Sequence, residues 1–340
     1  MASFAETQTA PQIIFTYQGA FGPPTLGHYQ CMQFFAEQVL KDYPDHKITM
    51  LFMPTAASSS KSHLAPTQDL RIKILNAYCE SLNNTFKKKY ADRTIEFKAS
   101  QLEYVLYPIT KDTGTIYTLR ALKNFGEKPD LSIESNKAPI TKDNLETIVL
   151  VGMGKDNMEQ LPYWKHVDEY AELADKIYAV HRAASSDTEM FEYKDLHFQP
   201  NAPWTSTLLG LEKEGTLTQE NLNKINDTLD KLVVIQDKTP LNTSSSMMRH
   251  YIALGDREKV GNISNLSKNH PLLDDIMKAE IFQKKDDKKN YDDQYKKIIF
   301  DIGIPKIEPK SKGGGKRRRS KRRSRRSQRS RRSRRSRRSR

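Results

Sequence analysis

The chain of 340 residues is long enough for one large or two small domains, and 36% hydrophobic residues can supply a real core, which excludes a wholly disordered chain. The net charge of +14 is not spread evenly: residues 316–340 hold 17 Lys plus Arg and no acid, and taking those 17 away leaves 39 basic against 42 acidic residues, a net −3. A nucleic-acid-binding surface over the whole body is thereby excluded, and two cysteines, Cys31 and Cys79, are too few for a disulfide framework, so a reducing compartment is expected.

Residues 1–11 are polar, lack a charged start followed by an apolar run, and are expected to be disordered. No stretch reaches the ~18 apolar residues that span a bilayer. Neither secretion nor contact with a membrane is expected, and the location is read as intracellular, cytoplasmic or nuclear.

In chain order, apolar β-branched runs predict buried strands at Ile13–Tyr17, Ile48–Met53, Thr147–Val151, Ile177–Val180 and Leu232–Ile235. Helical patterns fall between them at Gly27–Leu40, Gln68–Ser81, Thr115–Phe125 and Tyr163–Leu173. Alternating strands and helices imply crossovers that return the chain in one direction, hence an α/β fold: a Rossmann-like, doubly wound parallel sheet with helices on both faces. The domain is expected over residues 12–260, with a polar insertion at about 184–229. A charged helical or linker region at 261–312 follows, then a disordered basic tail from Gly313, whose three consecutive glycines form a hinge.

In such a sheet a ligand lies beyond the carboxyl ends of the strands, where the strand order reverses. The first predicted strand runs into Gly19, Phe21, Pro23, Thr25 and His28 in the pattern G-x-F-x-P-x-[H/T]-x-x-H. Chance gives that match on the order of once in ten thousand chains of this length. Gly19 lets backbone approach a ligand, the prolines stiffen the loop, and a helix beginning near Gly27 offers N–H groups and a positive dipole end. His28 in its first turn is placed to donate a ring N–H to a phosphate oxygen. Cys31, one turn further on, lacks companions for a metal site, and no metal ligands are assigned to the protein.

Thr25-Leu26-Gly27-His28 resembles the H/T-x-G-H signature of the nucleotidyltransferase superfamily, and further segments follow in the order of bacterial-type nicotinate-nucleotide adenylyltransferases. Phe52-Met53-Pro54-Thr55 with Lys61, then Arg71, is similar to that family's FIPT and PPHK loop. Thr115–Arg120 resembles its T-x-D-T-L-R helix start, and Gly154-Lys155-Asp156 through Leu161-Pro162-Tyr163-Trp164 resembles its GAD and LPKW segment. Thr243–Arg249 resembles ISSTxIR. The likeness covers roughly residues 12–260. Thr25 stands where nicotinate-specific enzymes have histidine, Ser58-Ser59-Ser60 replaces the PPH triplet, and Tyr117 replaces an acid.

The resemblance implies an adenylyltransferase that joins ATP and nicotinate or nicotinamide mononucleotide, with Mg²⁺ accompanying ATP. Gly19, Phe21, Thr25, His28, Gly154, Asp156, Ser244, Ser245 and Arg249 would bind ATP. Thr25, His28, Lys61 and Arg249 would act in catalysis, and Thr115, Trp164 and Arg182 would bind the acceptor. Two alternatives stay open: a related enzyme whose acceptor is phosphopantetheine or an alcohol phosphate, and a non-catalytic nucleic-acid-binding protein acting through its tail. The Arg-Arg-Ser repeats, as in Arg325-Arg326-Ser327, resemble RS domains and suit RNA, DNA or an acidic partner through counterion release. Tails of this kind also occur on proteins of large DNA viruses.

Overall fold

The computed structural model describes residues 12–56, 68–104, 106, 115–123, 147–154, 157, 170–180, 219–235, 241–279, 291–298, 300 and 303–310. The chain divides into a unit of residues 1–307 and a unit of residues 308–340, the second described only at 308–310.

In the first unit six strands form one parallel sheet: β1 (Gln12–Gly19), β2 (Lys47–Pro54), β3 (Ile95–Ala99), β4 (Thr147–Gly154), β5 (Lys176–Val180) and β6 (Leu232–Ile235). Their spatial order is 3-2-1-4-5-6, that of the doubly wound dinucleotide-binding folds, and it reverses between β1 and β4. The register sets Ile13 of β1 beside Ile48 of β2 and Ile148 of β4. Strands covered on both faces read as continuous apolar runs, which is why β1, β2 and β4 were legible.

Side-chain alternation splits the core in two. Ile13, Phe15 and Tyr17 of β1 join Met50 and Phe52 of β2 and Tyr178 of β5 under α1 (Leu26–Asp42) and α2 (Gln68–Lys89). Ile14, Leu51, Val149, Val151 and Ile177 face the other way, under α3 (Thr115–Lys123), α4 (Tyr170–Leu173) and α5 (Gln219–Asp230). Helices therefore cover both faces.

Two stretches differ from the sequence reading. Strand β3 was not anticipated: Ile95-Glu96-Phe97-Lys98-Ala99 alternates as an edge strand does, with Phe97 its buried residue, and has no continuous apolar run. Helix α5, inside the expected 184–229 insertion, leads directly into β6 and buries Thr228 and Leu229. It reads as polar because nine of its twelve residues are polar or charged.

The segment after Gly261 also carries more packing than its composition suggests. After α6 (Ser245–Ala253), α7 (Arg257–Ile263), α8 (Pro271–Lys278) and α9 (Tyr291–Lys296) contribute Ile263, Leu273, Ile276 and Tyr291 to the α1–α2 core. The Tyr78 hydroxyl of α2 donates to the Ser264 carbonyl at 2.8 Å, and Ile307 bridges to Leu266 as a short parallel pair. No helix among the described residues is long and apolar enough to cross a membrane.

Candidate active site at the carboxyl edge of the sheet

The loop between β1 and α1 leaves the sheet where its order reverses. Gly19 is the last residue of β1, Gly154 the last of the adjacent β4, and residues 20–25 lead to the start of α1. Phe21 has φ +40, in the left-handed region that non-glycine residues rarely occupy, and its buried ring lies edge-on to Tyr17 at 5.4 Å and to His28 at 5.1 Å. A Cβ on Gly19 would meet that ring at 3.3 Å. The pattern's glycine and phenylalanine thus hold each other, and the ring props the imidazole.

Thr25 is the N-cap of α1, and His28 closes a capping box with it, in a position usually held by Glu or Gln. The Thr25 backbone N–H donates to His28 Nδ1 at 3.0 Å, and the Thr25 hydroxyl lies 2.9 Å from the same nitrogen. A backbone N–H aimed at Nδ1 requires the lone pair to be there, so the proton of the neutral ring resides on Nε2. Thr25 thereby fixes both the orientation and the tautomer of His28.

The second signature meets the first from 216 residues away. The Gly27 N–H donates to Thr243 Oγ1 at 2.8 Å, and the Thr25 hydroxyl donates to the Thr243 carbonyl at 3.3 Å. Leu241 N–H donates to Gln30 Oε1 at 2.5 Å. A Cβ on Gly27 would stand 2.8 Å from the Leu241 carbonyl oxygen, so the glycine of the signature is required by this backbone crossing.

Helix α6 then starts beside the same loop. Ser244 caps it, accepting from Met247 N–H at 3.0 Å. Ser245 donates its hydroxyl to the Pro23 carbonyl at 2.8 Å, while Arg249 donates to the Gly22 carbonyl and, at 2.9 Å, to Ser246 Oγ. Two positive helix ends, neither with an acid in its first turn, and a guanidinium therefore gather at one loop, which favours an anion. The donors are N–H, hydroxyl and guanidinium groups that suit phosphate oxygens. Among the described residues no group of three His, Cys, Asp or Glu is arranged for a metal ion.

Of the expected residues, Gly19, Phe21, Thr25, His28, Ser244, Ser245 and Arg249 come together around this loop, and Gly154 ends the strand next to it. Thr115 opens α3 on the opposite face of the sheet, where its side chain hydrogen-bonds Tyr170. Lys61, Asp156, Trp164 and Arg182 lie outside the described residues.

Three residues enter that the motif reading left without a role. Thr243 opens the second signature and was findable there. Arg71, 1% exposed, donates to the Ala20 carbonyl at 2.7 Å and to the Thr55 carbonyl at 3.1 Å, tying the loops after β1 and β2 together. Glu103, 3% exposed after β3, accepts from Ala56 N–H at 3.0 Å. Burial pushes its carboxyl up to about 7, against the opposing pull of the Ala56 hydrogen bond and the Arg71 charge. Its only sequence signal is a lone acid in the apolar stretch Leu102–Leu106.

No known family model matches the chain, and no curated relative does. Solved structures similar to it are nicotinate-nucleotide adenylyltransferases. A Vibrio parahaemolyticus protein assigned provisionally to that activity is 14% identical, covering 63% of this chain and 97% of its own, with a TM-score of 0.30. The Plasmodium falciparum nicotinic acid mononucleotide adenylyltransferase, in complex with NaAD, is 16% identical, covering 78% of this chain and 94% of its own, with a TM-score of 0.38.

Proposed function

We propose that the protein is a nucleotidyltransferase that moves the adenylyl group of ATP onto the 5′-phosphate of nicotinate or nicotinamide mononucleotide, releasing pyrophosphate and forming the dinucleotide of NAD biosynthesis. The observation that carries the reading is the convergence of two distant signatures on residues 22–28 at the reversal point of the sheet.

In the proposed reaction an acceptor phosphate oxygen bonds to the α-phosphorus as the bond from that phosphorus to the β-phosphate oxygen breaks. The attacking phosphate is already ionised, so no general base is needed. Catalysis then consists of alignment and of neutralising the charge that grows on pyrophosphate. His28 Nε2–H donates to a phosphate oxygen from a ring held by Thr25 and Phe21. The first turns of α1 and α6, with Ser244, Ser245 and Arg249, receive the phosphate chain. Arg249 now holds the Gly22 carbonyl, so it would exchange part of that contact for phosphate. Bound with ATP, Mg²⁺ would offset part of the phosphate charge. Thr115, Trp164 and Arg182 are proposed for the acceptor, and Lys61 and Asp156 for ATP.

The deciding experiment supplies purified protein with ATP and, in turn, nicotinate mononucleotide, nicotinamide mononucleotide, phosphopantetheine and an alcohol phosphate, and measures pyrophosphate. Release with a pyridine mononucleotide alone is expected. Release only with another acceptor keeps the chemistry and overturns the substrate, and no release with any of them overturns both.

The tail is assigned a separate role: its 17 positive charges suit a phosphate polymer or acidic partner, and serine phosphorylation would lower that charge.

A further inference from the structure

The proposed site has its phosphate-binding loop on one side of the sheet's carboxyl edge, and a buried charged assembly ties that loop to its neighbours. Arg71 projects from the first turns of α2 into the gap between the loops after β1 and β2 and bonds a carbonyl of each, Ala20 and Thr55. Thr55 N–H returns to the Gly19 carbonyl at 2.9 Å. One residue on, Ala56 N–H is held by Glu103 from the segment after β3. Three successive strand ends are therefore laced together, and the outermost member, Ala20, adjoins Phe21, which props His28.

We infer that Arg71 and Glu103 are positioning residues for the proposed adenylyl transfer, and that the charge on Glu103 sets how firmly the loops after β1 and β2 are held for ATP. The inference rests on the adenylyltransferase reading for what is positioned, not for the linkage itself.

The physical reason is that a carboxylate accepts a hydrogen bond from Ala56 and attracts Arg71 far more strongly than a carboxylic acid does. Glu103 changes charge near neutrality because burial opposes its ionisation. Among the described residues, the groups facing it are Arg71 from α2, its neighbour Tyr104, which hydrogen-bonds Arg71 and feels Asp69, and Tyr170 from α4. Arg71 is the only cation among them. Among the described residues Glu103 Oε2 and Arg71 Nε are buried without a hydrogen-bond partner, and there the Ala56 bond and mutual attraction hold the carboxylate. Protonation below about pH 7 removes the attraction and leaves the guanidinium less restrained.

The test uses the full chain and two variants, Glu103→Gln, which keeps a carbonyl acceptor for Ala56, and Arg71→Lys, which keeps the charge but not the two-carbonyl fork. Mg-ATP affinity is measured by calorimetry from pH 6 to 8.5, and amide exchange of Thr55 and Ala56 is followed in parallel. ATP's own phosphate titration is common to all three proteins and cancels in the comparison. The wild-type protein is expected to gain about three- to tenfold in affinity over the glutamine variant between pH 6 and 8.5, with Thr55 and Ala56 protection rising in step. Arg71→Lys should bind ATP weakly at every pH while staying folded by its melting curve. Parallel wild-type and Glu103→Gln profiles in both readouts overturn the role of Glu103, and unchanged affinity and exchange in Arg71→Lys overturn that of Arg71. If no protein binds ATP yet exchange follows the expected pattern, the linkage stands and the adenylyltransferase reading falls.

Discussion

Gly27 and Thr243, 216 positions apart, are joined by a 2.8 Å hydrogen bond from the glycine N–H to the threonine hydroxyl. That bond docks the loop before α6 onto the first turn of α1, and it satisfies a backbone donor at a helix start, where no intrahelical partner exists. Thr243 is 2% exposed, so water does not replace it.

Thr243→Val keeps the shape and removes the hydroxyl. Leaving the Gly27 N–H buried and unpaired is expected to cost about 1–3 kcal/mol. The measurement is urea unfolding together with the KM for ATP, which should rise as the two helix starts separate. A variant with wild-type stability and KM would show that the crossing is held by backbone packing alone.

His28→Ala removes the proposed donor to pyrophosphate. A preorganised donor of this kind is worth ~3 kcal/mol in the transition state, so kcat should fall about a hundredfold or more. The lost capping box should cost about 1 kcal/mol, leaving the protein folded at room temperature. Near-normal turnover in a pyrophosphate-release assay would remove His28 from the chemistry.

Glu103 makes stability depend on pH. Its folded-state carboxyl titrates at about 7, above the 4.5 of a free glutamate, so its contribution is fully present below 4.5 and is lost as the pH rises through about 7. Between pH 5 and pH 8 the loss should be about 2–3 kcal/mol, from ~1.4 kcal/mol per pH unit of separation. Glu103→Gln lacks that loss, so it should gain on the wild type by this amount at pH 8 relative to pH 5 in urea titrations. As the pH rises from 5 to 8 the variant would then gain stability on the wild type while losing ATP affinity relative to it, a combination that a purely structural glutamate does not give. A constant difference across the range would refute the assignment of the titration.

Deleting residues 316–340 should leave adenylyl transfer within about twofold and abolish most binding to RNA or DNA, because the remaining charge is slightly negative. Full-length binding should weaken steeply with salt and vary little with sequence. Filter binding at several salt concentrations, with kcat measured alongside, checks both halves. A truncated protein that still binds nucleic acid tightly at moderate salt would place the binding surface in the body.

By itself the sequence determined the parallel α/β class, five of the six described strands and the motif loop from Gly19 to His28, because each is a local pattern. Buried strands are unbroken apolar runs, and Gly19 to His28 is a fixed spacing between a strand end and a helix start. Strand β3 escaped because a half-exposed edge strand has no continuous apolar run, and helix α5 because nine of its twelve residues are polar or charged. Tertiary structure alone decided what Gly27 is for, since nothing near it in sequence predicts that the Leu241 carbonyl passes 2.8 Å from where its Cβ would stand. It alone decided that Thr25 points the His28 proton to Nε2, and that Ser245 and Arg249 grip the loop at Gly22 and Pro23. Glu103 is the clearest case: a carboxylate's charge at neutral pH depends on burial and on Arg71 32 positions earlier, and both are products of how β2, α2 and β3 pack.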